Sequence, residues 1–192
     1  MTVSLSKGGS VSLTKEAGAS TLSSLTVGLG WDKSQGFAHD LDLSAVLAGS
    51  SGKVASETDL VFYGAVTHVS GSVRHGGDNR TGEGDGDDER IVVDLTTVPA
   101  SVHSIVFIAS IDKAIERGQS FGSVTAAYIR VVNNADNREL ARFDLTDGAS
   151  SDIALSFGEV YRDGGDWKFQ AIGDGYSTGL AGVLGAYGID AA

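Results

Sequence analysis

Eight apolar stretches, none longer than eleven residues, set the limits on how this chain can fold. They are LTVGLGW (25–31), DLVFYGAVTHV (59–69), RIVVDLTTV (90–98), SIVFIASI (104–111), TAAYIRVVN (125–133), ELARFDL (139–145), IALSFGEVYR (153–162) and WKFQAIGDGY (167–176). All are rich in β-branched or aromatic residues and bounded by Gly, Asp, Asn or Ser, which is the pattern of strands separated by turns. In WKFQAIGD, Trp167, Phe169 and Ala171 oppose Lys168 and Gln170. In ELARFDL the alternation of Leu140, Arg142 and Asp144 against Ala141, Phe143 and Leu145 is imperfect. Runs that are apolar on both faces suit central strands.

Helical signals are few. Leu180, Val183, Leu184 and Tyr187 stand at i, i+3, i+4 and i+7, one face of a short C-terminal helix. DKAIERG (112–118) has room for one or two turns. So many closely spaced strands with so little helix predict a mainly β fold, an antiparallel β-sandwich. With no Pro-rich or Ser-rich linker, a single domain over 1–192 is expected. The 27 glycines then read as turns, because 41% hydrophobic residues still supply a core.

GGDNRTGEGDGDDER (76–90) does not fit that pattern. Asp78, Glu83, Asp85, Asp87, Asp88 and Glu89 lie within a span that holds one cation, Arg80. Two like charges about 8 Å apart repel by roughly 0.5 kcal/mol even in water, so an ordered loop of this kind needs a counter-ion that the sequence does not supply. Calcium is the leading reading. It takes about 6–8 oxygens from carboxylates, amides and carbonyls, and glycines let carbonyls turn inward. Asp40 and Asp42, at i and i+2, leave one face of a strand and can converge on the same ion. The solvated acidic loop is the bland alternative. Known loop grammars match poorly: an EF-hand begun at Asp78 meets Arg80 and Gly82 at ligand positions, and one begun at Asp85 lacks the turn glycine.

Other chemistries are excluded or weakened. A formal net charge of −11 argues against nucleic acid and anionic lipid. The absence of cysteine removes disulfides, thiolate metal sites and thiol redox chemistry. A phosphate loop would need Lys where Glu83 stands. GYSTG (175–179) matches the nucleophile-elbow pattern around Ser177, yet the last histidine, His103, lies upstream and no parallel-sheet scaffold is expected, so a turn and helix start is the better reading. His39, His68, His75 and His103 show no metal spacing and read as surface or strand-edge residues, while Trp31 reads as a core anchor. No stretch reaches the roughly 20 apolar residues of a membrane helix, and no leader pattern is visible, so no transmembrane segment and a cytoplasmic location are expected.

GLGWD (28–32), DLDLSA (40–45), VFYG (61–64), SVRHGGDNRTGEGDGDDERI (72–91), FGSV (121–124), AYIRVVN (127–133), GEVYR (158–162), WKFQAIGDGY (167–176) and YGI (187–189) occur in the order found in the TerD family of tellurite-resistance and stress proteins, which the chain resembles over nearly its whole length. The resemblance implies a β-sandwich with calcium bound at one edge, where DLD meets the acidic loop. Its metal set, carried over residue by residue, is Asp40, Asp42, Asp78, Asn79, Thr81, Gly82, Gly84, Asp87, Asp88 and Glu89. Asp85 stands where the family varies between acids.

A non-catalytic calcium module of stress resistance is therefore expected, its cofactor calcium and its partner an unidentified protein docking on a surface the ion orders. The alternative is a magnesium-dependent enzyme acting on a nucleotide or phosphate ester, for which Arg74, Arg80 and Arg90 are locally outnumbered. A third possibility makes the ion only a structural staple. No catalytic residues are expected, and without thiols and with a single methionine the chain is not expected to reduce tellurite itself.

Overall fold

The computed structural model describes residues 2–18, 22–32, 39–77, 86–145 and 151–190, and in it two six-stranded sheets face each other. The first has the order β1 (Val3–Leu5), β10 (Arg138–Asp144), β9 (Thr125–Asn133), β3 (Ser24–Asp32), β7 (Glu89–Asp94), β6 (Val73–His75). The second runs β2 (Ser10–Ser12), β12 (Asp166–Tyr176), β11 (Ala154–Asp163), β8 (Ser104–Ile111), β4 (Leu41–Ala48), β5 (Leu60–Val61). Every pairing is antiparallel except that of β1 with β10. The expected antiparallel sandwich is observed, with that one parallel edge.

Period-two alternation places the core. In β9, Ala127, Ile129 and Val131 are buried, and in β7 Ile91 and Val93, while Tyr128, Arg130, Arg90 and Val92 point out. The imperfect pattern of ELARFDL has a local cause: the register slips between Glu139 and Ala141, so Leu140 is an extra residue and both Leu140 and Ala141 are buried. All eight residues of β8 are buried, because α3 (Gly179–Ala186), the helix that follows the one-turn α2 (Ala114–Arg117) in the chain, covers the outer face of its sheet, packing Val183 and Leu184 against Val46, Val106 and Ile108. GYSTG ends β12 at Tyr176 and then forms the expected turn and start of that helix.

Three sequence expectations change. The segment 59–69 is strand only at Leu60–Val61; it crosses from β4 of one sheet to β6 of the other, and a chain changing sheets cannot keep one ladder. Its apolar Tyr63, Val66 and Val69 are exposed. His39, His68 and His75 are buried, contrary to a surface role, although His75 does lie on the edge strand β6. His68 is held by Asp59 on Nε2 (3.1 Å) and Ser70 on Nδ1 (2.7 Å), and His39 by Ser123 (2.8 Å), so each has the polar partner that burial demands. A helix without apolar periodicity, α1 (Leu13–Ala17), was not expected; the Ser12 side chain caps its start and Gly18 in the left-handed region ends it.

Candidate metal centre

Strand β4 starts one residue after Asp40, and the backbone ladder already includes Asp40, whose carbonyl accepts from Asp112 N–H at 2.8 Å. Asp40 and Asp42 are both half-buried at this end. The opposite sheet brings in the acidic segment. Asp78, Asn79, Thr81, Gly82 and Gly84 of the expected metal set lie outside the described residues. Asp87, Asp88 and Glu89 are described, and the fold gives these three consecutive carboxylates three different surroundings.

Asp87 lies flat on the outer face of the first sheet, over Gly28. Its Oδ1 accepts from Arg130 Nε at 2.6 Å and its Oδ2 from Arg130 Nη2 at 3.1 Å, a bidentate pair. The Tyr128 hydroxyl stands 3.2 Å from Oδ1 and 3.0 Å from the Gly86 carbonyl. Both acceptors of Asp87 are thus taken up by the sheet. Gly28 and Gly30, at i and i+2 on β3, make this possible: a Cβ on Gly28 would collide with the Asp87 carboxylate, and one on Gly30 with the Tyr128 ring. Gly28→Ala is expected to cost about 1–3 kcal/mol by overpacking, read as a lowered urea midpoint at unchanged slope. Gly165→Ala, where a Cβ meets nothing within 4 Å, stays within about 0.5 kcal/mol of the parent.

Asp88 turns the other way. Its N–H pairs with the Leu29 carbonyl at 2.9 Å and its Oδ2 accepts from Trp31 N–H at 3.0 Å, which ties the acidic segment to the end of β3. Burial raises the pKa of this carboxyl above the ordinary range; the Trp31 hydrogen bond opposes that, and the negative charges of Asp87, Glu89 and Asp32 add to it. Asp32 was not in the expected set. It enters because β3 ends beside Asp88.

Glu89 is the first residue of β7, and its side chain is buried between the sheets. Its Oε2 accepts from Leu43 N–H at 2.6 Å, the residue after Asp42. The His75 ring completes this link. Nδ1 accepts from Gly77 N–H (3.2 Å), which leaves the proton on Nε2, 3.1 Å from the Leu43 carbonyl and 3.4 Å from Glu89 Oε2. Glu89 therefore fixes the DLD strand to the acidic segment.

The expected donor set would suit a hard cation, since its side chains offer only oxygens and the charges that raise the Asp88 pKa, of Asp87, Glu89 and Asp32, are all negative. Among the described residues no three His, Asp or Glu side chains are close enough together to hold an ion. Sequence reading missed Arg130, Tyr128 and the flat patch made by Gly28 and Gly30. Two glycines at i, i+2 in GLGWD were the available signal, because they strip one face of a strand for a neighbour's side chain to lie on.

A family model described as the TerD domain matches residues 1–187. The chain is 52% identical to a tellurium resistance protein, TerD, of Serratia marcescens over the full length of both. It is 46% identical to general stress protein 16U of Bacillus subtilis (strain 168), covering 98% of each. The crystal structure of a homologue of telluride resistance protein (TerD) from Streptomyces coelicolor A3(2) superposes with a TM-score of 0.65 over 88% of this chain and 97% of that one; at 22% identity it speaks to the fold. The chain belongs to the TerD domain family.

Proposed function

We propose that this chain is a non-catalytic, calcium-binding protein of stress resistance, in which the ion joins the Asp40–Asp42 segment to the acidic segment 78–89 and orders a surface for a protein partner. One observation carries the reading: Leu43 N–H, next to Asp42, donates to Glu89 at 2.6 Å, so the two segments the ion must join already meet. Asp40, Asp42 and Asp88 do not stand close enough together to hold an ion by themselves; calcium would draw their carboxylates in, with Asp78, Asn79, Thr81, Gly82 and Gly84 as the further donors. Asp87 and Glu89, each already accepting from protein donors, hold the C-terminal end of the segment in place. The names of the Serratia and Bacillus relatives support resistance to tellurium and to stress as the setting. With no thiol and one methionine in the chain, the contribution to tellurite resistance is indirect.

The test is calorimetry of calcium into chelator-stripped protein, with magnesium in parallel and with Asp42→Ala and Asp88→Ala variants. Calcium is expected to bind with a Kd of about 10⁻⁷ to 10⁻⁵ M if it is sensed, and tighter if it is a staple. At a hundredfold excess over Kd it adds about 2.7 kcal/mol of stability, a rise in Tm of roughly 5–10 °C for a domain of this size. Identical melting with and without calcium overturns the reading. Binding of magnesium-nucleotide without calcium binding would favour the enzyme instead.

A further inference from the structure

The two sheets differ on their outer sides. α3 covers part of one, whereas the outer face of the other carries a line of arginines in a chain of net charge −11. The register sets this line out: Arg90 pairs with Gly28, Gly28 with Arg130, and Arg130 with Arg142. In the next row, Arg74 pairs with Val92, Val92 with Thr26, and Thr26 with Val132. Between the rows lies a recess of about 480 Å3, with Val92 and Val132 on its floor, Arg90, Arg130 and Asp87 on one side, and Asn134 and Asn137 at the far end. It is a shallow, open recess of small-molecule size, in which two valines lie among converging polar groups.

The arginines are not equivalent. Arg130 is consumed by Asp87 and by Glu139, which accepts from Nη1 at 3.1 Å. Arg142 pairs with Asp144 and lies over the Tyr128 ring, 3.7 Å from its centroid. Arg90 is different. Its side chain is 57% exposed, its Nη2 is 3.5 Å from the Asp87 carbonyl, and its Nε is 4.0 Å from a carboxylate already held by Arg130. Most of its guanidinium fork therefore remains open at the rim of the recess, with exposed Arg74 on the neighbouring strand. A planar fork beside an apolar floor suits one doubly acceptor-bearing anion with a hydrophobic body.

We propose that this recess binds a small organic anion, its carboxylate or phosphate on Arg90 and Arg74 and its apolar body against Val92 and Val132. The site is distinct from the cation site. Arg130 belongs to it as the group that neutralises Asp87, so that the anion is not repelled by that carboxylate. Glycine at position 28 makes the room in which that carboxylate lies between Arg90 and Arg130.

Phenyl phosphate, benzoate and inorganic phosphate, titrated into the whole chain under chelation and followed by amide and arginine side-chain NMR shifts, test this. Phenyl phosphate or benzoate is expected to saturate, shifting the amides of Thr26, Val92 and Val132 together with Arg90 Nε–H, and to bind about tenfold more tightly than inorganic phosphate, which lacks the body. The tighter of the two identifies the charged group. Arg90→Gln, an exposed change that leaves the fold intact, is expected to weaken binding about tenfold or more. Lys168→Gln, on the other sheet, leaves it unchanged. Shifts that do not saturate, that spread over the surface, or that survive Arg90→Gln overturn the proposal.

Discussion

Replacing Arg130 with methionine is expected to lower the unfolding free energy by about 3 kcal/mol in chelated protein, the lower end of the range for breaking a buried ion pair. Its partner is the reason. The Asp87 side chain is only 4% exposed, and once its bidentate donor is gone the carboxylate is left on the sheet with the Tyr128 hydroxyl and the distant Arg90 as its donors. The attraction also favours the charged guanidinium, whose pKa is raised chiefly by its hydrogen bonds to Asp87. Because Arg130 is itself part-exposed, methionine keeps the packing of its stem on the sheet, and what is lost is the pairing. Asp87→Asn in the same chain removes the stranded charge and is expected to recover more than half of the loss. A double-mutant cycle by urea unfolding reads the coupling directly. Arg130→Met within about 0.5 kcal/mol of the parent would show that the pair contributes nothing, as many exposed pairs do.

The same pair shows how far the sequence could be read. Strands were legible wherever one face had to be apolar: TAAYIRVVN is β9 to the residue, and the WKFQAIGDGY pattern is β12 less one terminal residue. Local pattern failed where a segment served two sheets. The apolar residues of 62–69 are drawn across the edge by pairing with β6, and nothing in their composition separates that from a core strand. Buried histidines were misread for a related reason, since their hydrogen-bond partners Asp59, Ser123 and Leu43 come from elsewhere in the fold. In the acidic segment, residue types were readable but roles were not. Asp87, Asp88 and Glu89 look alike as a run of carboxylates; a bend at Asp88, before the alternation of β7 begins, sends one to an arginine on the outer face, one to the end of β3 and one into the gap between sheets.

Glu89 is where stability and cation binding separate experimentally. Glu89→Ala leaves the Leu43 N–H buried without its acceptor, removes the charge that His75 faces, and opens a void between the sheets. Together these are expected to cost about 3–5 kcal/mol, measured by urea unfolding under chelation. Calcium affinity is expected to fall with it, because Glu89 sets where Asp42 stands relative to Asp88. Glu89→Gln is the informative variant. Its amide oxygen can still accept from Leu43 N–H, so the loss of stability is expected to shrink to about 1 kcal/mol. If Glu89 acts by holding the two segments together, the glutamine variant keeps calcium affinity within a fewfold of the parent. If calcium binding disappears in Glu89→Gln while the apo protein unfolds at its usual urea concentration, Glu89 is a direct ligand and the link between the sheets is not what positions the site.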